Sequence, residues 1–311
     1  MSLSGKVAIV TGSSRGIGKA TSLGLAREGV KVVVAARSET ERPGVPGTIH
    51  GTVAEIQAAG GTALAVRCNL REEEDIFSLV QRTMEAYGRV DILVNNAGIG
   101  SYRPFLETTV KQWDLVMDID LRAPFICCKA VAPIMVDQGS GSIINVSSHG
   151  ATNIYSSTLG EDRDAGIALV GQEYGTAKAG LERFSWGLAA ELGRYNIAVN
   201  VLKPLRPVIT EGFQAQRPDA DFSTWVTPEY MGKAAIFLAG QDAQGMSGAV
   251  VTDGLTANQR EGAVVAALDA LAAQVRDPRV VTGSVVEGAQ DGAGWGFSGH
   301  GSHWGGMGRE L

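Results

Sequence analysis

The stretch Val7-Ala8-Ile9-Val10-Thr11-Gly12-Ser13-Ser14-Arg15-Gly16-Ile17-Gly18 decides how this chain folds. It reads as a short apolar strand, a glycine-rich turn and the opening of a helix that runs to about Glu28. Glycines at 12, 16 and 18 let the chain turn sharply, let a ligand approach the backbone and let the helix pack closely on the strand. The free amides at the helix start then face a pyrophosphate. Gly12, Ser14, Arg15, Gly16, Ile17 and Gly18 are therefore candidate contacts for a dinucleotide. The competing reading is a tight turn that binds nothing.

Further β-branched runs follow at Val32 to Ala36, Leu64 to Arg67, Val90 to Asn95, Ser142 to Val146, Ala198 to Leu202 and Val250 to Thr252. Amphipathic stretches such as Glu72 to Tyr87 and Lys178 to Tyr195 lie between them. Strict alternation of strand and helix predicts an α/β fold with a parallel sheet covered on both faces. Several runs are apolar without alternation, as burial of both faces requires. No internal repeat is present. The scheme holds as far as Asp253-Gly254; an alanine-rich helix (Glu261 to Arg276), a short apolar strand (Arg279 to Thr282) and a glycine-crowded tail (Glu287 to Gly308) come after it. The expected division is a dinucleotide-binding domain over residues 1–256 and an extension over 257–311.

With 311 residues, 44% hydrophobic and 19% charged, the chain is large enough for one big α/β domain plus an appendage. A net charge of −6 and a pI near 5.3 argue against the concentrated basic patch that nucleic acid demands, so small molecules are the expected partners. Cys68, Cys127 and Cys128 give an odd count without metal-ligand spacing, and the adjacent pair falls in the apolar run Ala123 to Ala132. They read as buried thiols of a reduced protein. Met1 to Val10 holds no long apolar core, and no run reaches the roughly 18 apolar residues of a membrane span. A cytoplasmic protein is expected.

The second strand ends Ala35-Ala36-Arg37-Ser38, where an acidic residue would bind the ribose hydroxyls of NAD(H). Arg37, beside Ser38, would instead pair with the 2′-phosphate of NADP(H), with Arg15 as a second cation. The other reading is two solvated surface arginines. Tyr174 and Lys178 lie four residues apart, one helical turn, so their side chains leave the same face. An ammonium beside a phenol favours the phenolate, which suits proton exchange with an alcohol or carbonyl oxygen. By spacing alone such a pair also occurs by chance on exposed helices.

Taken together, the glycine motif, Asn95-Asn96-Ala97-Gly98 after the fourth strand, Ser147-Ser148 after the fifth, and Tyr174 with Lys178 resemble the short-chain dehydrogenase/reductase family, in its order, over Leu3 to Gly254. The resemblance implies a single doubly wound Rossmann-like domain with a seven-stranded parallel sheet, assembled as a homodimer or homotetramer through long helices. It implies interconversion of a secondary alcohol and a ketone or aldehyde, with NADP(H) as the cofactor that Arg37 points to. Tyr174 would be the general acid in reduction and the base in oxidation, Lys178 would hold the nicotinamide ribose and support the phenolate, and Ser148 would polarise the carbonyl. Strand alternation puts Ser147 and Ser148 on opposite faces, and the resemblance selects Ser148, since the family's serine is usually the second of such a pair. Asn96, Ala97 and Gly98 would line the cofactor cleft, Asn69 and Leu70 would approach the adenine, and Pro204, Val208 and Thr210 would lie near the nicotinamide.

Several residues depart from the family pattern. Asp120 stands where many members have an asparagine that supports a proton-relay water, so it enters the catalytic candidates with a weakened relay. Asn69 replaces a common aspartate, and Pro204-Leu205-Arg206-Pro207 replaces the usual Pro-Gly. The separation of Ser148 from Tyr174 is longer than usual, which makes Tyr155 to Gln172 either a specificity flap or a tolerated insertion. A second insertion, Glu39 to Thr52, contains Pro43-Gly44-Val45-Pro46-Gly47 and is loosely similar to hydroxysteroid-dehydrogenase-like members. His50 and His149 have no evident carboxylate partner and are not read as metal ligands, although His149, next to Ser148, is placed to touch substrate.

The tail Phe297 to Leu311 resembles the opening of a polyketide-synthase acyltransferase domain, with His300 where glutamine is usual. No Gly-His-Ser-x-Gly nucleophile motif follows, so acyl transfer is not expected. Three readings stand: a reductase with an appendage, a reductase that docks on a synthase through its tail, and an NADP(H)-binding protein without turnover.

Overall fold

Seven parallel strands hydrogen-bond in the order β3-β2-β1-β4-β5-β6-β7. They are β1 (Val7–Thr11), β2 (Lys31–Ala36), β3 (Ala63–Arg67), β4 (Ile92–Asn95), β5 (Gly141–Val146), β6 (Ile197–Lys203) and β7 (Val250–Thr252). The computed structural model describes residues 2–100, 105–152, 171–216 and 218–254. Every residue of β1, β4 and β6 is buried, which is why these strands read as unbroken apolar runs.

The helices are α1 (Gly16–Arg27), α2 (Ile49–Ala58), α3 (Glu73–Tyr87), α4 (Val110–Met117), α5 (Ala123–Gln138), α6 (Gln172–Leu192), α7 (Glu211–Gln216) and α8 (Glu229–Ala239). Ile76, Leu79, Ile126, Val131, Met135 and Ala189 from α3, α5 and α6 pack with Ile9, Val33, Leu93, Ile143 and Val199 of the sheet into one core. On the other face α1 lies so close to α8 that a Cβ on Gly232 would sit 3.2 Å from the Ala20 carbonyl oxygen.

Local chemistry sets the boundaries. Thr109 and Gln112 form a capping box at α4, and Gly88 and Gly139, at φ 71° and 66°, end α3 and α5. A π-helical turn, Asp118–Arg122, joins α4 to α5. The expected fourth strand shortens by two residues, because the Asp91 carboxylate accepts from the Val7 amide at 2.9 Å and Val90 donates to Gln138 at 3.1 Å. The helix expected from Lys178 starts earlier, at Gln172, and ends at Leu192, followed by a 3-10 turn, Gly193–Tyr195. Tyr174 and Lys178 thus share its first two turns.

Strand order reverses between β1 and β4, which opens a crevice at the carboxyl ends of the strands. The glycine loop after β1, Arg37 after β2, Asn69 after β3, Asn96 after β4 and Ser148 after β5 all lie at that end. No helix among the described residues is long and apolar enough to cross a membrane. Residues 155–170 of the expected flap, and the extension with its acyltransferase-like stretch, fall outside the described residues apart from the boundary at Gly254.

Candidate active site

The turn after β1 needs its glycines for different reasons. Gly12 and Gly16 sit at φ 67° and 56°, where a side chain is strained. Gly18 has an ordinary φ, but a Cβ there would lie 2.5 Å from Asn96 Nδ2 and 2.6 Å from the Gly12 oxygen. Asn96 braces this turn, its side-chain amide donating to the Thr11 oxygen at 2.9 Å. The Asn96 and Ala97 amides both donate to Thr11 Oγ1, at 3.1 and 3.2 Å. Thr11 was not singled out from sequence; it holds the two loops of the crevice together.

Between these loops lies a cleft of about 500 Å³. Of the expected cofactor contacts it is lined by Gly12, Ser14, Arg15, Gly16, Ile17, Arg37, Ser38, Asn69, Leu70, Asn96, Ala97, Gly98 and Thr210. Val45, Ile99, Ile119, Gly212 and Ala215 also line it. Gly18, Tyr174, Lys178, Pro204 and Val208 do not line this cleft. Gly18 is buried beneath the turn, and Val208 is held in a parallel bridge to Val226. Pro204 is followed by Leu205, whose amide donates to Asp253 Oδ1 at 2.5 Å.

Arg15 lines the cleft and is also engaged by the insertion after β2. Its Nε donates to the Pro46 oxygen at 2.9 Å and its Nη2 to the Gly47 oxygen at 2.8 Å, with Ser38 Oγ at 3.3 Å. The insertion after β2 therefore captures much of the guanidinium instead of leaving it wholly available to a phosphate. Burial pulls the Arg15 pKa down, Glu211 opposes this, and Arg42 adds to it; the outcome is a lowered value. Gly47 permits the close approach: at φ 101°, a Cβ on it would lie 2.5 Å from the Ser14 oxygen. Arg37 lines the cleft and forms no ion pair among the described residues, Glu39 nearby pairing instead with His50 and Arg67. Glu211, which sequence reading missed, accepts from the Gly16 amide at 2.9 Å.

Toward β5 the cleft meets the catalytic candidates. Lys178 Nζ donates to the Val146 oxygen at 3.0 Å and lies 3.0 Å from Asp120 Oδ1 and 5.6 Å from the centre of the Tyr174 ring. Asp120 Oδ2 accepts from the Ile99 amide at 3.0 Å. A Cβ on Gly98 would fall 2.6 Å from Asp120 Oδ1 and 3.4 Å from Lys178 Nζ, so the pair abuts the cleft wall. The side chain of Asp120 is thus committed to the lysine and to the loop, an arrangement the relay expectation did not contain.

Burial pushes the Asp120 pKa up, against the pull of Lys178 and the Ile99 amide. The same burial pulls Lys178 down, but Asp120 and Tyr174 outweigh it and leave the ammonium above its ordinary value.

Ser147 and Ser148 separate as strand alternation predicts. Ser147 is buried and donates to Glu182 Oε1 at 2.7 Å. Ser148 is partly exposed and caps the 3-10 turn His149–Ala151, accepting from the Gly150 amide at 3.2 Å. Gly175 lets α6 press on this turn, since a Cβ there would lie 3.0 Å from the Gly150 oxygen.

His50, read as lacking a carboxylate, has Glu39 Oε1 at 3.7 Å. His149 Nε2 is buried without a hydrogen-bond partner among the described residues. No group of ligands fit to hold a metal ion occurs among the described residues. Cys68, Cys127 and Cys128 are free and buried, as expected; burial raises Cys68 and Cys128 to about 12, which makes them poor nucleophiles.

A family profile described as short chain dehydrogenase matches residues 6–220. The chain is 38% identical over 217 residues to the 3-oxoacyl-[acyl-carrier-protein] reductase of Synechocystis sp., covering 69% of this chain and 80% of that protein. It is 33% identical over 261 residues to the 2-dehydro-3-deoxy-D-gluconate 5-dehydrogenase of Formosa agariphila, covering 79% and 90%. Among solved structures, a metagenomic short-chain oxidoreductase in complex with NADP superposes with a TM-score of 0.64 at 30% identity, covering 81% of this chain and 98% of that one.

Proposed function

The chain belongs to the short-chain dehydrogenase family, and from that premise we propose that it interconverts a secondary alcohol and a ketone or aldehyde with NADP(H), Tyr174 being the general acid and base. The observation that carries this reading is the placement of Lys178, held by Val146 and Asp120 beside the Tyr174 ring where the cleft wall at Gly98 begins.

The cleft fits a dinucleotide: a turn whose Gly12 and Gly16 hold left-handed backbone, the start of α1 with its Gly16 amide held by Glu211 until a ligand displaces it, and the Arg37 cation at the β2 end. Two relatives, named as a reductase and a dehydrogenase, and a structural neighbour with NADP support the same chemistry. The nicotinamide, when bound, supplies or takes the hydride. Tyr174 gives its proton to the substrate oxygen as the carbonyl becomes an alcohol and takes it back in the reverse direction. Ser148 donates its hydroxyl hydrogen to the same oxygen, and the loss of such a donor typically costs about 3 kcal/mol of barrier lowering. Lys178, bonded to the Val146 oxygen and paired with Asp120, keeps donor capacity that this reading directs to the ribose.

The reading includes a cytoplasmic homodimer or homotetramer, supported by half-exposed Phe125 on α5 and Trp186 on α6, each 48% exposed. The test is an NADPH-coupled screen of ketones, keto-acyl thioesters, sugars and steroids, with Tyr174→Phe beside the parent. The variant should bind NADPH, read by cofactor fluorescence, and turn over nothing. Parental turnover in Tyr174→Phe would overturn the mechanism, and a strong preference for NADH would overturn the cofactor.

A further inference from the structure

Around the segment that carries Ser148 lies a buried charge cluster that the proposed reaction does not use. Lys203, the last residue of β6, and Glu182 on α6 approach to 3.4 Å with side-chain exposures of 11% and 5%. A lysine at the end of a strand ordinarily extends into water; this one turns inward. Its ammonium donates to Thr152 Oγ1 at 3.2 Å, and Glu182 Oε1 accepts from Ser147 Oγ at 2.7 Å. Ser147 and Thr152 bracket the 3-10 turn that Ser148 caps. One ion pair therefore grips both ends of the segment carrying the candidate serine, and ties it to α6, which carries Tyr174 and Lys178, and to β6.

Isolated buried charges are costly, and pairing two of them seldom adds more stability than an apolar pair of the same size. The cluster is better explained by the geometry it imposes than by stability. Backbone bonds fasten the segment to β6 at its start, the Ser147 amide donating to the Leu202 oxygen at 2.8 Å, but past that point they are local: Ala151 to the Ser148 oxygen at 3.1 Å and Thr152 to the His149 oxygen at 3.0 Å. At the Thr152 end the long-range tie among the described residues is the side chain's bond from Lys203, and at the Ser147 end Glu182 adds to the backbone bond.

We propose that Lys203 and Glu182 are positioning residues that clamp the Ser147–Thr152 segment and so aim the Ser148 hydroxyl at the substrate oxygen. The proposal rests on the oxidoreductase reading for its catalytic consequence, but not for the clamp itself.

The test uses the full chain with Lys203→Met and the double variant Lys203→Met/Glu182→Gln, which removes both buried charges and keeps the test alive where the single variant fails to fold. Amide hydrogen exchange across residues 147–152 should quicken at least about ten-fold while β1 stays protected. On the substrate found in the screen, kcat should fall about ten-fold or more with the KM for NADPH unchanged. In a Ser148→Ala background the same substitution should cost less than about two-fold, because the group being aimed is gone. Unchanged exchange would overturn the clamp whatever the reaction proves to be. Quickened exchange with parental kcat, or an equal loss in the Ser148→Ala background, would overturn the aiming role. Activity in Tyr174→Phe would overturn the reaction instead and leave the exchange result to judge the clamp.

Discussion

Lys178 and Asp120 form an ion pair of 3.0 Å whose side chains are only 4% and 0% exposed. Burial alone would drive the lysine toward its neutral form, and Asp120 is the first of the influences that keep it charged. Because the folded value lies above the ordinary 10.5, the stability this group contributes is fully present below that pH and is lost as pH climbs through the folded value. Asp120→Asn leaves burial opposed chiefly by Tyr174, so the ammonium gives up its proton at lower pH. The alkaline limb of the kcat/KM profile should move down by about one pH unit or more. Urea melts near neutral pH should show a loss of roughly 3 kcal/mol. A profile superimposable on the parent's would show that Asp120 does not govern the lysine's charge.

The division of labour between Arg15 and Arg37 gives a second expectation. Arg15 is largely engaged by the Pro46 and Gly47 carbonyls, whereas Arg37 lines the cleft with no ion pair among the described residues. Arg37→Ala should raise the KM for NADPH about ten-fold or more and leave that for NADH within about two-fold, since only the former carries a 2′-phosphate. Arg15→Ala should lower affinity for both cofactors and also lower the Tm by about 2 to 4 °C, because the Glu39–Thr52 insertion loses its anchor to the glycine loop. Steady-state kinetics with both cofactors and a thermal melt decide it. A selective loss of NADPH in the Arg15 variant, with Tm intact, would restore that residue as a phosphate ligand.

How much of this was legible in the sequence depended on the range of the interaction. The parallel sheet and the glycine turn were, because burial on both faces and left-handed backbone each leave a local mark in residue type, as at Ile92–Asn95 and Gly12. The separation of Ser147 from Ser148 followed from the two-residue period of a strand. The hold of Pro46 and Gly47 on Arg15 was not, since carbonyls of an irregular loop carry no side-chain signature. Lys203 carries no sequence mark of burial, and only the fold brings Glu182 to it. Asp120 was singled out as a departure, but that its carboxylate would meet Lys178 required the π turn Asp118–Arg122 and the close packing of α6 at Gly180, where a Cβ would touch Leu121 at 3.1 Å.

Glu211 supplies the remaining expectation, through a contact that spans 195 residues of sequence. Its carboxylate accepts from the Gly16 amide at 2.9 Å, at the helix start where the sequence places a pyrophosphate. Two anions cannot share one amide donor, and a fixed negative charge also opposes the approach of a second. A dinucleotide therefore has to displace Glu211, and with it the start of α7, which carries Phe213 against Trp225 with ring centres 4.6 Å apart. Glu211→Gln keeps a hydrogen-bonding side chain but removes the charge. Its NADPH affinity, measured by cofactor fluorescence, should rise about three- to ten-fold at low ionic strength and converge on the parent's near 0.5 M salt, where screening flattens the difference. Weaker binding in the variant would mean instead that the carboxylate holds the loop in its binding shape, and the competition between side chain and phosphate would be refuted.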